Sequence, residues 1–600
     1  YYKKSTASSY TLLKTTTSTS YKKSNLSDGA KYDSASAITA TNNMRDIWVT
    51  FGRTASHGHN DALNLGMDAY GLDMAPDLGY PEATSYTPNR SQWVSAAVSH
   101  NTVVVNEANS DLEIPHGYPL HFDDTEMVKL IDVDESNRNS ATEKFRRSVV
   151  MIKANDDVSY AVDFFRVKGG NTHTYSFHSQ AENAYPISGI ELTPQVDENG
   201  DWIGTYAGID GKDPETGEWI AYGPDPYTTD AWGSPVKYNR GYTWMDKIRR
   251  DKDPEQNISI EFDVQDYNKI LKDGKGIKLR LTQMNNFTPD EVAIVAGYVP
   301  IKKETEKLPR RLDYMLVHNR GENLDSLFTT VLEPYKGERY VSDIKTVDVS
   351  VKAGDETVGE DMARAVKVTH TSGRVDYVVY ASNTGVTYTV SDTFVKADGT
   401  ELPISFDFRG FVGVYTVNEN GALIYRYVND GDIISNDGSA TGKTASYKGI
   451  VTGFQKENDF KNYIDVEMQC DDLSDLAGRV IYVDNDRVEN GAYRILSASR
   501  EGEGLKDGSI RLDLGTVTLI RSLIDKFDFD KGFVYNIKEG QTFTIPTSFE
   551  DKGLPVFETV ADDLSTSAGS SMSVNISAKS PIKTNTPTIT YIGATLPRGA

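Results

Sequence analysis

Residues 366–380 read Val-Lys-Val-Thr-His-Thr-Ser-Gly-Arg-Val-Asp-Tyr-Val-Val-Tyr, two runs rich in β-branched and aromatic residues on either side of Ser372-Gly373. Side chains of this kind suit a pleated strand, and a Ser-Gly pair between two such runs marks a hairpin turn. The pattern recurs at Phe411–Val417 and Ala422–Tyr427 around Asn420-Gly421, a dipeptide favoured in tight hairpins. Upstream, Ile47, Val49 and Phe51 alternate with other residues, and strand-like runs follow at Val103–Val105, Ser148–Ile152 and Tyr160–Val167. Long antiparallel sheets are predicted. Helical periodicity is scarce, its best candidate being the short stretch Leu519–Phe527. These residues therefore cannot build a helical toroid or a βα-repeat barrel.

A chain of 600 residues is too long for one ordinary core, so two or three domains are expected. The 34 tyrosines and 48 glycines lean toward strands and turns, giving a mostly β protein. Composition divides the chain into an irregular N-terminal segment at 1–44, a large β-sandwich at 45–435, a Gly/Ser/Asp/Thr-rich linker at 436–448, a smaller C-terminal β domain at 449–560 and a Ser/Thr-rich tail at 561–600. Cys470 is the single cysteine, which excludes an intrachain disulfide and a cysteine-based zinc cluster, so a metal site must draw on His, Asp or Glu. No apolar run approaches the roughly 18 to 20 residues of a membrane-spanning helix. The chain opens at Tyr1 without a charged-then-apolar leader, and a longer precursor is expected. A formal charge of -24 argues against duplex nucleic acid as a partner and requires any polyanion site to be locally basic. Oligomeric state is not legible.

Two of the nine histidines fall in Ser56-His57-Gly58-His59-Asn60-Asp61, directly after the first predicted strand. In an extended segment His57 and His59 point the same way, so one imidazole can bind a metal while its neighbour faces a cleft. Asp77 and His100 complete a possible three-ligand set with His59. Two imidazoles and one carboxylate suit zinc and leave a fourth position for water or another ligand, with Asp61 placed to support a ligating histidine. An HxH pair taken alone is more often an accident of surface or core than a metal site. Metallohydrolases of the amidohydrolase kind also use HxH, but that fold needs repeated βα units absent here.

The ordered set decides more than the pair. Phe51-Gly52, His57-Gly58-His59-Asn60-Asp61, Asp77-Leu78-Gly79-Tyr80 and Ser99-His100-Asn101-Thr102-Val103 together resemble the signature of heparinase II/III-like polysaccharide lyases. The match is strong over residues 45 to 110 and one of character only to about 430; Asp73–Pro76 departs from the family pattern. The resemblance implies a large antiparallel β-sandwich, or supersandwich, which in the family is joined to an N-terminal (α/α) toroid that these residues do not supply. It places one zinc, mainly structural, on His59, Asp77 and His100. The catalytic histidine of the sandwich falls on His57, and a cleft tyrosine seen in some members falls on Tyr86.

The reaction so implied is β-elimination in an anionic uronic-acid polysaccharide, such as heparin, heparan sulfate or an alginate-like polymer. A base removes the C5 proton, an acid protonates the departing C4 oxygen, and the uronate carboxylate must be neutralised. Arg90 is the candidate substrate-binding residue, with Arg53 and the pair Arg146-Arg147 as further basic groups able to grip a carboxylate or sulfate. His173 and His178 straddle a strand-like run; they read first as satisfied structural histidines and second as groups reaching the cleft. The family points to a secreted, periplasmic or cell-envelope location. Because the family's principal catalytic tyrosine comes from the toroid, a second reading is kept: a non-catalytic, zinc-containing carbohydrate-binding or wall-associated β module.

Overall fold

The computed structural model describes residues 45–51, 59–79, 89–109, 117–136, 140–155, 158–209, 241–269, 271, 273–284, 288–300, 309–354, 363–457, 459–486 and 491–552, with the backbone of short strands at 2–4, 9–12, 31–33 and 588–590. Three antiparallel sheets are stacked through shared cores. An eight-stranded sheet runs, in spatial order, through Ala184–Ser188, Asn257–Asp263, Ile277–Met284, Asp325–Lys336, Ser159–Lys168, Lys144–Lys153, Val128–Asp134 and Tyr118–Asp124. On one side lies a six-stranded sheet of Thr193–Pro194, Met245–Asp251, Glu291–Tyr298, Arg311–Arg320, Thr172–His178 and Val103–Val105. On the other lies a nine-stranded sheet whose centre is Val341–Val351, Ala363–His370, Val375–Ala381, Val412–Val417 and Leu423–Asn429.

The strand Lys144–Lys153 shows why the middle sheet reads as an unbroken apolar run. Val149 and Met151 enter the core shared with Tyr175, Phe177, Ile294 and Val317 of the six-stranded sheet. Val150 and Ile152 enter the core shared with Val366, Val368, Val378 and Tyr380 of the nine-stranded sheet. A strand covered on both faces has no solvent side on which to alternate polar residues. Each such side chain contributes about 1.5–3 kcal/mol of burial. Both predicted hairpins form, with Gly373 and Gly421 in the left-handed region at φ 86° and 78°.

A seven-stranded sheet beginning at Ser446–Phe454 carries its own core of Val451, Ile464, Val466, Ile481, Phe543 and Ile545. Its chain returns to the stack, where Ser548–Asp551 pairs with Leu423–Asn429. Just before the Gly/Ser/Asp/Thr-rich linker at 436–448, Ile433–Ser435 pairs with Glu401–Arg409. The helical reading of Leu519–Phe527 is wrong. Ile520–Asp525 is a strand paired with Asp528–Tyr535, and Phe527 at the turn is 86% exposed. The Leu519, Leu523, Phe527 spacing imitates a helical stripe, but only Leu519 is buried, in the core of the seven-stranded sheet, and Asp525 through Asp528 turn the chain back on itself.

The site is delivered by a smaller sheet, in which Arg45–Val49 pairs with Leu65–Ala69 and the latter with Leu72–Asp73. Ile47, Val49, Leu65 and Met67 of these strands are buried in the core of the eight- and six-stranded sheets. Among the described residues no helix is long and apolar enough to cross a membrane.

Candidate metal centre

Three segments converge beside the edge strand Val103–Val105. The first follows Arg45–Val49 and carries His59. Its next residue, Asn60, donates both its backbone N–H and its side-chain Nδ2 to the Ser95 carbonyl, at 3.0 and 2.8 Å. The second segment carries His100 at the end of the 3-10 turn Ala97–Ser99, its N–H bonded to the Ala97 carbonyl at 3.1 Å. The two segments are zipped together. The Asn101 N–H donates to Asn64 Oδ1 at 2.8 Å, Asn101 Nδ2 donates to the Leu65 carbonyl at 3.2 Å, and Thr102 Oγ1 donates to the Ala62 carbonyl at 2.5 Å. The third segment leaves Leu72–Asp73, is fixed where Ser179 Oγ donates to the Met74 carbonyl at 2.6 Å, and reaches Asp77. Asp77 Oδ1 accepts the Gly79 N–H at 2.7 Å, and that turn needs the left-handed φ of 66° that Gly79 supplies.

One ligand atom from each of His59, Asp77 and His100 lies within 4.8 Å of the others. Nδ1 of His100 is 3.0 Å from Oδ2 of Asp77, and the two imidazole centroids are 5.4 Å apart. Both imidazoles are buried, while the Asp77 carboxylate keeps 39% of its side chain exposed, so the cluster opens outward on its acidic side. Burial, aided by the neighbouring His100, lowers the pKa of His59 and favours the neutral ring that a metal requires. Burial tends to raise Asp77, but the charge and hydrogen bond of His100 and the Gly79 N–H outweigh it and hold the carboxyl well below its usual range. Two imidazoles and an ionised carboxylate at this separation fit a zinc ion. Asp61 acts on His59 as an opposing charge, behind Asp77 in size.

The fold therefore brings together the three residues assigned to the metal. His57, Tyr86 and Arg53 lie outside the described residues. Arg90 sits at the site: its charge reaches His59, and its carbonyl accepts both the N–H and the Oγ of Ser95, at 3.0 and 2.8 Å, the residue that holds Asn60. Arg146 and Arg147 do not grip ligand. Arg146 is bound to Asp132 at 2.8 and 2.6 Å, and Arg147 is wholly buried against Asp163 at 3.0 and 2.7 Å. The pair read as available cations because their partners lie on neighbouring strands of the same sheet. His173 is structural as expected, bonded to Ser326 Oγ and the Gly169 carbonyl at 2.8 Å each.

His178 is a neighbour of the centre that sequence reasoning set aside. Its ring is buried and stacks on Tyr314 at 4.2 Å, its backbone N–H donates to Asn101 Oδ1 at 2.8 Å, and burial pushes its pKa down to about 3 despite the pull of Asp77. The strand-like run offered it only as a second reading, since it lies 78 positions beyond His100 and nothing in that spacing joins the two.

The family model described as Heparinase II/III-like, C-terminal, matches residues 48–199, a span containing His57, His59, Asp77, Tyr86, Arg90 and His100. Over that span the chain is similar to the C-terminal region of heparinase II/III-like proteins. Among solved structures, the chain is similar to one titled heparinase III, at 13% identity and a TM-score of 0.30, covering 59% of this chain and 36% of that one. It is similar to the heparan sulfate lyase HepC from Pedobacter heparinus at 11% identity and a TM-score of 0.31, covering 52% of this chain and 36% of that one. A putative mutarotase from Salmonella typhimurium is matched at 8% identity and a TM-score of 0.22, covering 48% of this chain and 80% of that one. The chain thus spans 36% of the length of each of the first two of these structures. No curated protein is matched.

Proposed function

We propose that this chain is part of a polysaccharide lyase that cleaves a uronic-acid-containing polysaccharide by β-elimination, at a cleft organised by one zinc on His59, Asp77 and His100. The observation that carries the reading is the convergence of these three donors to within 4.8 Å, inside the segment matched by the family. Zinc, when bound, cross-links the three segments and leaves an open position for water or another ligand. The work on substrate falls to protein groups around it. His57, two residues before a ligand, acts as the base at C5 or as the donor that neutralises the carboxylate, Tyr86 assists proton transfer, and Arg90 binds the uronate carboxylate bidentately. Neutralising that carboxylate is worth several kcal/mol, because the developing enolate charge is met by donors already in place. The substrate is an anionic polysaccharide, met outside the cytoplasm.

The test is ultraviolet absorbance from unsaturated sugar ends. This chain, and the longest natural protein containing it, are incubated with a panel of uronic-acid polysaccharides. A rise that disappears in His57→Ala supports the lyase. Zinc-loaded protein that binds these polymers without any rise is instead a non-catalytic carbohydrate-binding module.

A further inference from the structure

Arg147 has no exposed surface, and a cation inside a β-sandwich core is costly unless every donor is met. Nε and Nη2 form a bidentate pair with Asp163, at 3.0 and 2.7 Å, and Tyr175 donates to the same carboxylate at 3.4 Å. The guanidinium also lies over the Phe165 ring at 4.9 Å. This leaves Nη1, which donates to two backbone carbonyls, Leu63 at 2.6 Å and Asn101 at 2.5 Å. These carbonyls belong to the two segments that carry the imidazoles. Leu63 follows His59 by four residues and Asn101 follows His100 directly. Leu63 is moreover a non-glycine residue at φ 53°, a conformation that persists only where the surroundings enforce it.

An apolar pair would stabilise this core as well as an ion pair does, often better. What it would not provide is one rigid donor shared by two loops. Resting on the metal-centre reading above, we propose that Arg147 is the positioning residue of that centre: from the middle of the strand Lys144–Lys153 it fixes the spacing of His59 and His100 through the Leu63 and Asn101 carbonyls. Asp77 lies on the third segment, where the Ser179 hydroxyl holds the Met74 carbonyl, and is not set by Arg147. Arg147 thus acts on the imidazole pair and touches neither metal nor substrate.

Because Arg147→Met alone strands the Asp163 charge, the test uses the double variant Arg147→Met/Asp163→Leu in the 600-residue chain. The control is Arg511→Met/Asp465→Leu, which removes a bidentate pair at 2.8 and 2.8 Å in the seven-stranded sheet. Zinc affinity is measured by chelator competition, and ligand geometry by the visible spectrum of the cobalt(II)-substituted protein. The expected result is a loss of affinity of roughly 10- to 100-fold with an altered cobalt spectrum in the Arg147 variant, the usual consequence of losing an outer support. The control should keep both at the wild-type value. Should the double variant fail to fold, Arg147→Lys keeps the charge but not the fork, and is expected to change the cobalt spectrum in the same direction. Wild-type affinity and spectrum in a folded Arg147 variant overturn the proposal alone. Absence of zinc binding by the wild-type chain overturns the metal-centre reading and the proposal with it.

Discussion

Nδ1 of His100 and Oδ2 of Asp77 lie 3.0 Å apart, a buried imidazole against a carboxylate that is still 39% exposed. Among the described residues, the contact joins two segments that no strand ladder connects. Asp77→Asn keeps the shape but removes the negative charge, and the exposure of this side makes the change tolerable for the fold. Zinc affinity is expected to fall by at least about tenfold, equivalent to about 1.4 kcal/mol, with the far-ultraviolet circular dichroism unchanged. Chelator competition on the purified variant measures it.

In the proposed assignment His57 is not a metal ligand, so its loss should separate chemistry from metal binding. His57→Ala is expected to lower the elimination rate by roughly 10²- to 10⁴-fold, the range for a positioned proton-transfer group. Zinc content and melting temperature should stay at wild-type values. Parallel activity and metal measurements on one preparation decide between a catalytic and a ligating role.

A pH dependence arises away from the centre. His121 is clamped between Asp132, 2.7 Å from Nδ1, and Asp430, 3.1 Å from Nε2, and its ring stacks on Phe411 at 4.0 Å. Arg146 of the next strand holds Asp132, and Lys448 faces Asp430. Burial alone would lower the imidazole, but the two carboxylates outweigh it and raise its pKa above the ordinary 6.5. A raised histidine contributes stability that is complete below 6.5 and is lost as pH climbs through the higher folded value. Asp132 and Asp430 are both held below 3.8, so their share is present above that value and lost only as pH falls through their folded pKa values. His121→Gln should therefore depress the melting temperature more at about pH 6 than at about pH 9. Thermal melts at the two pH values check it, and an equal loss at both would remove the charge from the account.

Much of the fold was legible because the middle sheet is covered on both faces. Val149, Val150, Met151 and Ile152 are all buried, and no surface requirement blurs the run. Hairpins were legible where glycine must take a left-handed conformation, at Gly373 and Gly421. His59, Asp77 and His100 were legible through resemblance to a family, since their spacing alone does not place three separate segments at one point. Arg147 was misread for a physical reason. A guanidinium on a strand looks the same in sequence whether it meets solvent or a carboxylate sixteen residues on, and only the pairing of Lys144–Lys153 with Ser159–Lys168 tells them apart. Leu519–Phe527 failed similarly, because apolar spacing does not tell a helical stripe from a strand that leaves the core at Leu519 and reaches an exposed hairpin turn at Phe527.

The centre itself is tested most directly by metal analysis of the purified 600-residue chain and of His100→Ala, with zinc-edge X-ray absorption on the wild type. Close to one zinc per chain is expected, with a first coordination sphere of two imidazoles and a carboxylate oxygen, and loss of both metal and thermal stability in the variant. A chain that purifies and reconstitutes without zinc, or a His100→Ala protein with unchanged metal content, would contradict it.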